Sequence, residues 1–400
     1  MGHSRRKRHL RVGTAFAILI SALSIGHVLL ARAAAAQAPR ELRAPMFEVD
    51  PLWPKPLPNH WVLGSAIGVS VDAEDHVWII HRSSATLANN EKGLELNPPT
   101  GECCLGAPPV LEFDQAGNLR RHWGGPGQGY EWPQSNHGIT VDYKGNVWVG
   151  GNGEKDAHVL KFTKDGKNLL QVGRIGGNTG SNSLENFGRV AKIFVDPKTN
   201  EAYLADGYLN KRVAVIDADT GKLKRYWGAY GNKPDDTPLP PYNPDAPPAK
   251  QFRNPVHCAE LSNDGLVYVC DRQHDRVQVF RADGTFVKEG FIARRTLGSG
   301  STWDLTFSRD PKQQFLYVTD GVNAKVHILD RETLQELTSF GDGGRQPGQF
   351  YGAHSIATDS KGNIYTTETY EGKRVQKFVF KGLGPVTKKD QGVLWPRSTK

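Results

Sequence analysis

The sequence predicts an all-β protein: a six-bladed β-propeller with four-stranded antiparallel blades. Three observations carry this prediction. One short pattern recurs six times along the chain, its strands are rich in β-branched and aromatic residues, and Gly, Asn and Asp mark the turns between them.

The repeats begin with "GVSVDAEDHVWIIHR" at Gly68 and "GITVDYKGNVWVGG" at Gly138. They continue with "KIFVDPKTNEAYLAD" at Lys192, "CAELSNDGLVYVCD" at Cys258, "DLTFSRDPKQQFLYVTD" at Asp304 and "SIATDSKGNIYTTE" at Ser355. Each reads as two strands around a turn. Most copies add a third strand ("HVLKF", "RVAVI", "RVQVF", "KVHIL", "RVQKF") and a fourth that ends near Trp-Gly or Phe-Gly ("RRHWG", "KRYWG", "LTSFG"). A four-stranded meander cannot bury both faces alone, and six arranged radially cover one another and hide most sheet edges. The sixth copy lacks a fourth strand after "RVQKFVF", a place that "MFEVD" at 46–50 can fill to close the ring. The Pro-rich stretch 233–249 and the segment 83–107 read as loops.

The organisation expected is therefore a segment 1–36, an N-terminal segment 37–60, a propeller over 61–382 and a tail over 383–400. Residues 1–36 have the grammar of an export signal. Arg5, Arg6, Lys7, Arg8 and Arg11 precede a mostly apolar run from Thr14 to Ala31, and Ala34-Ala35-Ala36 offers a cleavage site, with an uncleaved anchor as the alternative. The twin arginines of "SRRKRHL" leave the export route open between two pathways. The mature protein is expected to be periplasmic or secreted, off the membrane once the signal is removed, and monomeric.

The formal charge of +8 sits mostly in that segment. Residues 1–36 hold six basic and no acidic groups, and the remaining 44 basic against 42 acidic groups leave +2. Such a balance excludes a nucleic-acid footprint. Four cysteines in an exported chain point to disulfides. Cys258 and Cys270 are equidistant from Asp264 in the turn Asn263-Asp264-Gly265, which sets them opposite one another across a hairpin. The adjacent pair Cys103-Cys104 is open between a vicinal disulfide, free thiols and a metal-binding pair.

Aligning the copies on the residue five before the Asp or Ser that ends each first strand gives Ile67, His137, Ala191, His257, Trp303 and His354. Histidine occupies every second blade. In a six-bladed ring the first strands line the central channel and alternate blades stand a third of a turn apart, so the three imidazoles are expected to converge on the axis. Three His nitrogens with a fourth position open suit a catalytic Zn²⁺ ion. The second strands end at the same mouth and bring Arg82, Tyr208 and Arg272, a phenol and two guanidiniums suited to a carboxylate-bearing substrate. Asp206, Asp271 and Asp320 read as turn caps.

On these residues the chain, over about 60–380, resembles the NHL-type six-bladed propellers. Within them it is similar to the catalytic domain of peptidyl-α-hydroxyglycine α-amidating lyase. The family's three zinc-binding histidine motifs fall on "NHG" (His137), "VHC" (His257) and "AHS" (His354). Its substrate arginines fall on Arg82 in "IHRS" and Arg272 in "CDR", and its tyrosine on Tyr208 in "DGY". The resemblance implies a Zn²⁺-dependent lyase in which Tyr208 acts as base and the arginines grip the carboxylate of a small or peptide-derived substrate. It also implies a structural Ca²⁺ ion held by the backbone carbonyls of Val69 and Ile139 and by an acid after the third histidine. That acid is Ser355 here, and a family methionine two residues before the same histidine is Gly352. Two other functions remain open on the residues: a metal-dependent lactone or ester hydrolase, and a non-catalytic binding propeller.

Overall fold

The computed structural model describes residues 41–396, so the export signal expected at 1–36 lies outside the described residues. Six four-stranded antiparallel sheets account for almost all regular structure. Their first strands are Ala66–Val71, Asn136–Val141, Val190–Asp196, Val256–Leu261, Asp304–Phe307 and Ala353–Thr358. Each first strand touches those of both neighbouring blades, and blade six returns to blade one, so the ring is closed. Among the described residues no helix is long and apolar enough to cross a membrane.

Closure is made by the N-terminal segment. Arg43–Asp50 pairs antiparallel with Arg374–Pro385 and forms the outermost strand of blade six. That last strand runs past the expected boundary at 382. The following residues also pack on the ring: Val49 N donates to Leu394 O at 3.0 Å, Leu394 N to Phe47 O at 2.8 Å, and Ser339 N to Lys389 O at 2.9 Å.

The repeat pattern has a direct physical reading. The Asp that ends a first strand caps the turn and anchors the aromatic of the next strand. Asp142 accepts the amides of Lys144 and Asn146 at 2.9 and 2.8 Å, and the Trp148 indole N–H at 3.0 Å. Asp72 does the same for Glu74, His76 and Trp78. Aspartate side chains that satisfy amides two and four residues on are the mechanism behind turn preference. The core lies between blades: Tyr317 and Phe340 of blade five meet Phe47, Phe350 and Phe378 of blade six. Burial between neighbouring sheets is what makes a single blade unstable alone.

Segment 83–107 joins the second and third strands of blade one through three short 3-10 turns. The Pro-rich stretch 233–249 has no regular structure and is strapped down from below. Lys211 Nζ donates to Thr237 O, Arg253 to Pro240 O, and Arg276 to Ala249 O.

Candidate metal and active site

The first strands are bulged where the channel needs side chains. Pairing with the second strand skips Ile67, Ala191, His257 and His354 in blades one, three, four and six, and skips Gly138 in blade two. A bulge re-aims its residue out of the pleat, and bulges concentrate beside functional sites. Gly138 has φ +57°, and a Cβ there would meet the Ala191 carbonyl at 2.3 Å, so only glycine fits beside His137.

His137, His257 and His354 come together, buried, with ring centroids 4.8 to 5.1 Å apart. Their candidate ligand atoms all lie within 4.8 Å of one another. The alternating register also fixes their tautomers. His137 Nδ1 donates to the carbonyl of Ala191 at 2.7 Å, His354 Nδ1 to that of Ile67 at 2.6 Å, and His257 Nδ1 to that of Trp303. Each imidazole is therefore held by the equivalent residue of the next blade. With Nδ1 protonated, every Nε2 presents a lone pair, the arrangement in which an outer carbonyl orients a metal-binding histidine.

Burial holds His137 and His257 well below the ordinary imidazole range and His354 at about 3, with neighbouring imidazoles and the two guanidiniums adding to the effect. The donor set at neutral pH is thus three uncharged nitrogens. This chemistry fits a borderline-soft divalent cation such as zinc.

Tyr208 stands over the imidazoles. Its phenolic oxygen lies 3.0 Å from Nε2 of His137 and 3.0 Å from Nε2 of His257. It is brought there by Gly207, where a Cβ would lie 2.1 Å from the Val256 carbonyl. Arg272 Nη1 donates to the phenol at 3.2 Å, and its guanidinium carbon sits 4.4 Å from the Trp303 ring centroid. Arg82 Nη2 donates to Asn152 Oδ1 at 2.8 Å. The Nε–H groups of both arginines are buried without a partner among the described residues, and neither guanidinium has a carboxylate within ion-pair distance there. Two desolvated cations awaiting an anion are costly unless an anion arrives.

The neighbouring acids are committed elsewhere. Asp206 pairs with Arg212 at 2.7 Å, Asp271 with Arg276 at 2.8 Å and Asp320 with His327 at 3.2 Å. His81 accepts the amides of Gly64 and Ser83 and donates to Pro108 O, and burial holds its pKa at about 4. It shapes the turn that carries Arg82.

Cys258 and Cys270 are paired across the hairpin of blade four and form a disulfide, with Cα atoms 4.9 Å apart. Cys103 and Cys104 form a vicinal disulfide in the 83–107 loop. A second group with ligand-like spacing, Asp72, His76 and Glu112, lies on blade one. Lys164 and Arg121 already neutralise it, at 3.0 Å from Asp72 and 2.6 Å from Glu112.

A second buried cluster, not found by sequence reasoning, shares the channel. Lys192, Asp304 and Ser355 line a cavity with the three histidines and Ile139. Its volume of about 10 Å³ holds one water at most. Lys192 and Asp304 occupy the register one place after the histidine row, so comparing that row across copies would have shown them. Of the calcium ligands implied by the family resemblance, the acid is missing: Ser355 stands in its place and offers a hydroxyl, which donates to Asp304 Oδ2 at 2.6 Å.

No family model matches the chain. Peptidyl-glycine alpha-amidating monooxygenase B of Xenopus laevis is 31% identical over 158 residues, covering 38% of this chain and 16% of its own length. The chain spans less than a fifth of the length of the amidating monooxygenases it matches. Peptidyl-alpha-hydroxyglycine alpha-amidating lyase 1 of Drosophila melanogaster is 25% identical over 349 residues, 83% of this chain and 59% of that protein. NHL repeat-containing protein 3 of Mus musculus is 25% identical over 355 residues, 84% of each. By architecture and by these relatives, the chain is a six-bladed β-propeller that resembles the NHL-repeat proteins and the peptidyl-α-hydroxyglycine α-amidating lyases.

Proposed function

We propose that the protein is an exported zinc-dependent carbon–nitrogen lyase that cleaves an N-acyl-α-hydroxyglycine-type substrate into a primary amide and a glyoxylate-like acid. One observation carries the reading. Two guanidiniums without carboxylate partners among the described residues, each with a buried, unpaired Nε–H, flank a phenol that touches two of three convergent, neutral imidazoles.

His137, His257 and His354 would hold the zinc ion. When bound, it supplies Lewis acidity toward the substrate hydroxyl. Arg272 and Arg82 bind the substrate carboxylate and fix the hydroxyl-bearing carbon beneath the phenol. As a phenolate, Tyr208 accepts the hydroxyl proton, the O–H electron pair becomes the second C–O bond of the carbonyl, the C–N bond breaks, and the departing amide nitrogen takes that proton back from Tyr208, which regenerates the phenolate. Trp303 holds Arg272 in place through its ring face, 4.4 Å from the guanidinium carbon.

Two disulfides support a site of action in an oxidising compartment, outside the cytoplasm. The test is product analysis with the zinc-loaded protein and N-benzoyl-α-hydroxyglycine. Stoichiometric benzamide and glyoxylate above the uncatalysed rate are expected. A zinc-loaded protein that leaves this compound unchanged, while hydrolysing a lactone or ester, overturns the proposal.

A further inference from the structure

The cluster beside the histidines is chemically complete. Lys192 Nζ lies 2.7 and 2.9 Å from the two oxygens of Asp304 and 2.8 Å from Glu260 Oε1. Asp304 also accepts the amide of Leu305 at 2.9 Å, that of Ile356 at 3.1 Å and the Ser355 hydroxyl at 2.6 Å. Lys192 and Asp304 are buried, and every ammonium proton has an acceptor. The four side chains come from blades three, four, five and six, so one charge cluster ties four inner strands together.

A buried cation that bridges strands through oxygens is the service a structural divalent metal performs in other proteins. Here the chain supplies that cation covalently. The resemblance to amidating lyases implies calcium in this part of the channel, yet the acid it requires is Ser355, and Ser355 spends its hydroxyl on Asp304. From this disagreement we infer that the Lys192 ammonium is a built-in replacement for a structural divalent ion, which makes the propeller independent of calcium and fixes blades three to six around the axis. Bringing a divalent ion to the same carboxylates would set it against the ammonium in a low-dielectric interior, so the two cations exclude each other.

The experiment reads stability and metal content, not turnover, so its outcome is separable from that of the proposed reaction. The zinc-loaded wild-type chain is dialysed free of unbound metal, its calcium content is measured, and thermal unfolding is followed with and without millimolar calcium. No stoichiometric calcium and an unchanged Tm are expected. One calcium per chain, or a Tm that rises with calcium by several degrees, overturns the inference.

Lys192→Met leaves Asp304 and Glu260 without their cation. Its Tm is expected to fall by roughly 10 °C and to recover in part with calcium. A K192M protein as stable as wild type and indifferent to calcium overturns the inference. If K192M does not fold, the wild-type measurements decide alone. The double variant K192M/E260Q, which removes one acid with the cation, is expected to be more stable than K192M and blind to calcium. An undiminished calcium response in that variant also overturns the inference.

Discussion

Two buried polar clusters line the channel of this propeller, and they differ in what they lack. The lysine cluster closes on itself: one ammonium, two carboxylates, a hydroxyl and two amides satisfy one another. The histidine cluster does not. Its three Nε2 lone pairs face inward, a single phenol reaches two of them, and the flanking guanidiniums keep unpaired N–H groups. Buried polar groups in native proteins are almost always paired, so an incomplete set marks the place where something from outside belongs. The complete cluster holds blades together, and the incomplete one is where chemistry is expected.

The contrast is broken most severely by removing a ligand. His257→Ala is expected to abolish zinc binding at micromolar free metal while the protein still folds, as checked by metal analysis and circular dichroism. Tyr208→Phe comes next. It should reduce turnover by about 10²–10⁴-fold with zinc content unchanged, since the phenol acts on the proton and not on the metal. Equal turnover in a proven assay removes Tyr208 from the mechanism.

On the structural side, breaking the lysine cluster with Lys192→Met in calcium-free buffer is expected to cost about 3–5 kcal/mol in denaturant unfolding, because it leaves uncompensated buried carboxylates. Turnover per folded, zinc-loaded molecule should survive. Replacing Cys258 and Cys270 together by serine sharpens the comparison, since this cross-link stiffens the hairpin that carries His257. A loop closed over a sequence separation of 12 predicts a loss of about 3 kcal/mol.

The most gradual effect belongs to a histidine away from the axis. Burial alone would lower the pKa of His327, but hydrogen bonds to Asp320 and Glu336 outweigh it and raise the value to about 9. A folded pKa above the unfolded one means stability is fully present below pH 6.5 and is lost as pH rises through about 9. The expected loss is about 3 kcal/mol spread over the whole interval, and His327→Gln should flatten that slope. The axial histidines, neutral throughout this window, add nothing to it.

Much of the site was legible because the repeat supplies an internal ruler. Counting back five residues from the end of each first strand identifies His137, His257 and His354, and also Ile67, Ala191 and Trp303, whose carbonyls orient them. What the ruler did not convey is that four of these positions, Ile67, Ala191, His257 and His354, are bulges. In a regular strand, adjacent residues face opposite sides, so Lys192 next to Ala191 and Ser355 next to His354 would not be counted as channel residues. The charge cluster stayed hidden for that reason.

The sequence by itself determined the number of blades, their strands and the alternation of imidazoles, because turn chemistry and hydrophobic pattern act locally and repeat. The place of "MFEVD" as the closing strand of blade six was legible too, and the pairing of Arg43–Asp50 bears it out; only the tertiary structure decided that residues up to Leu394 pack on the ring, and that Lys192, Glu260, Asp304 and Ser355 meet. Those contacts join residues 50 to more than 300 positions apart. Their partners are chosen by closure of the ring and by the need to pair buried charge, neither of which any single stretch of chain records.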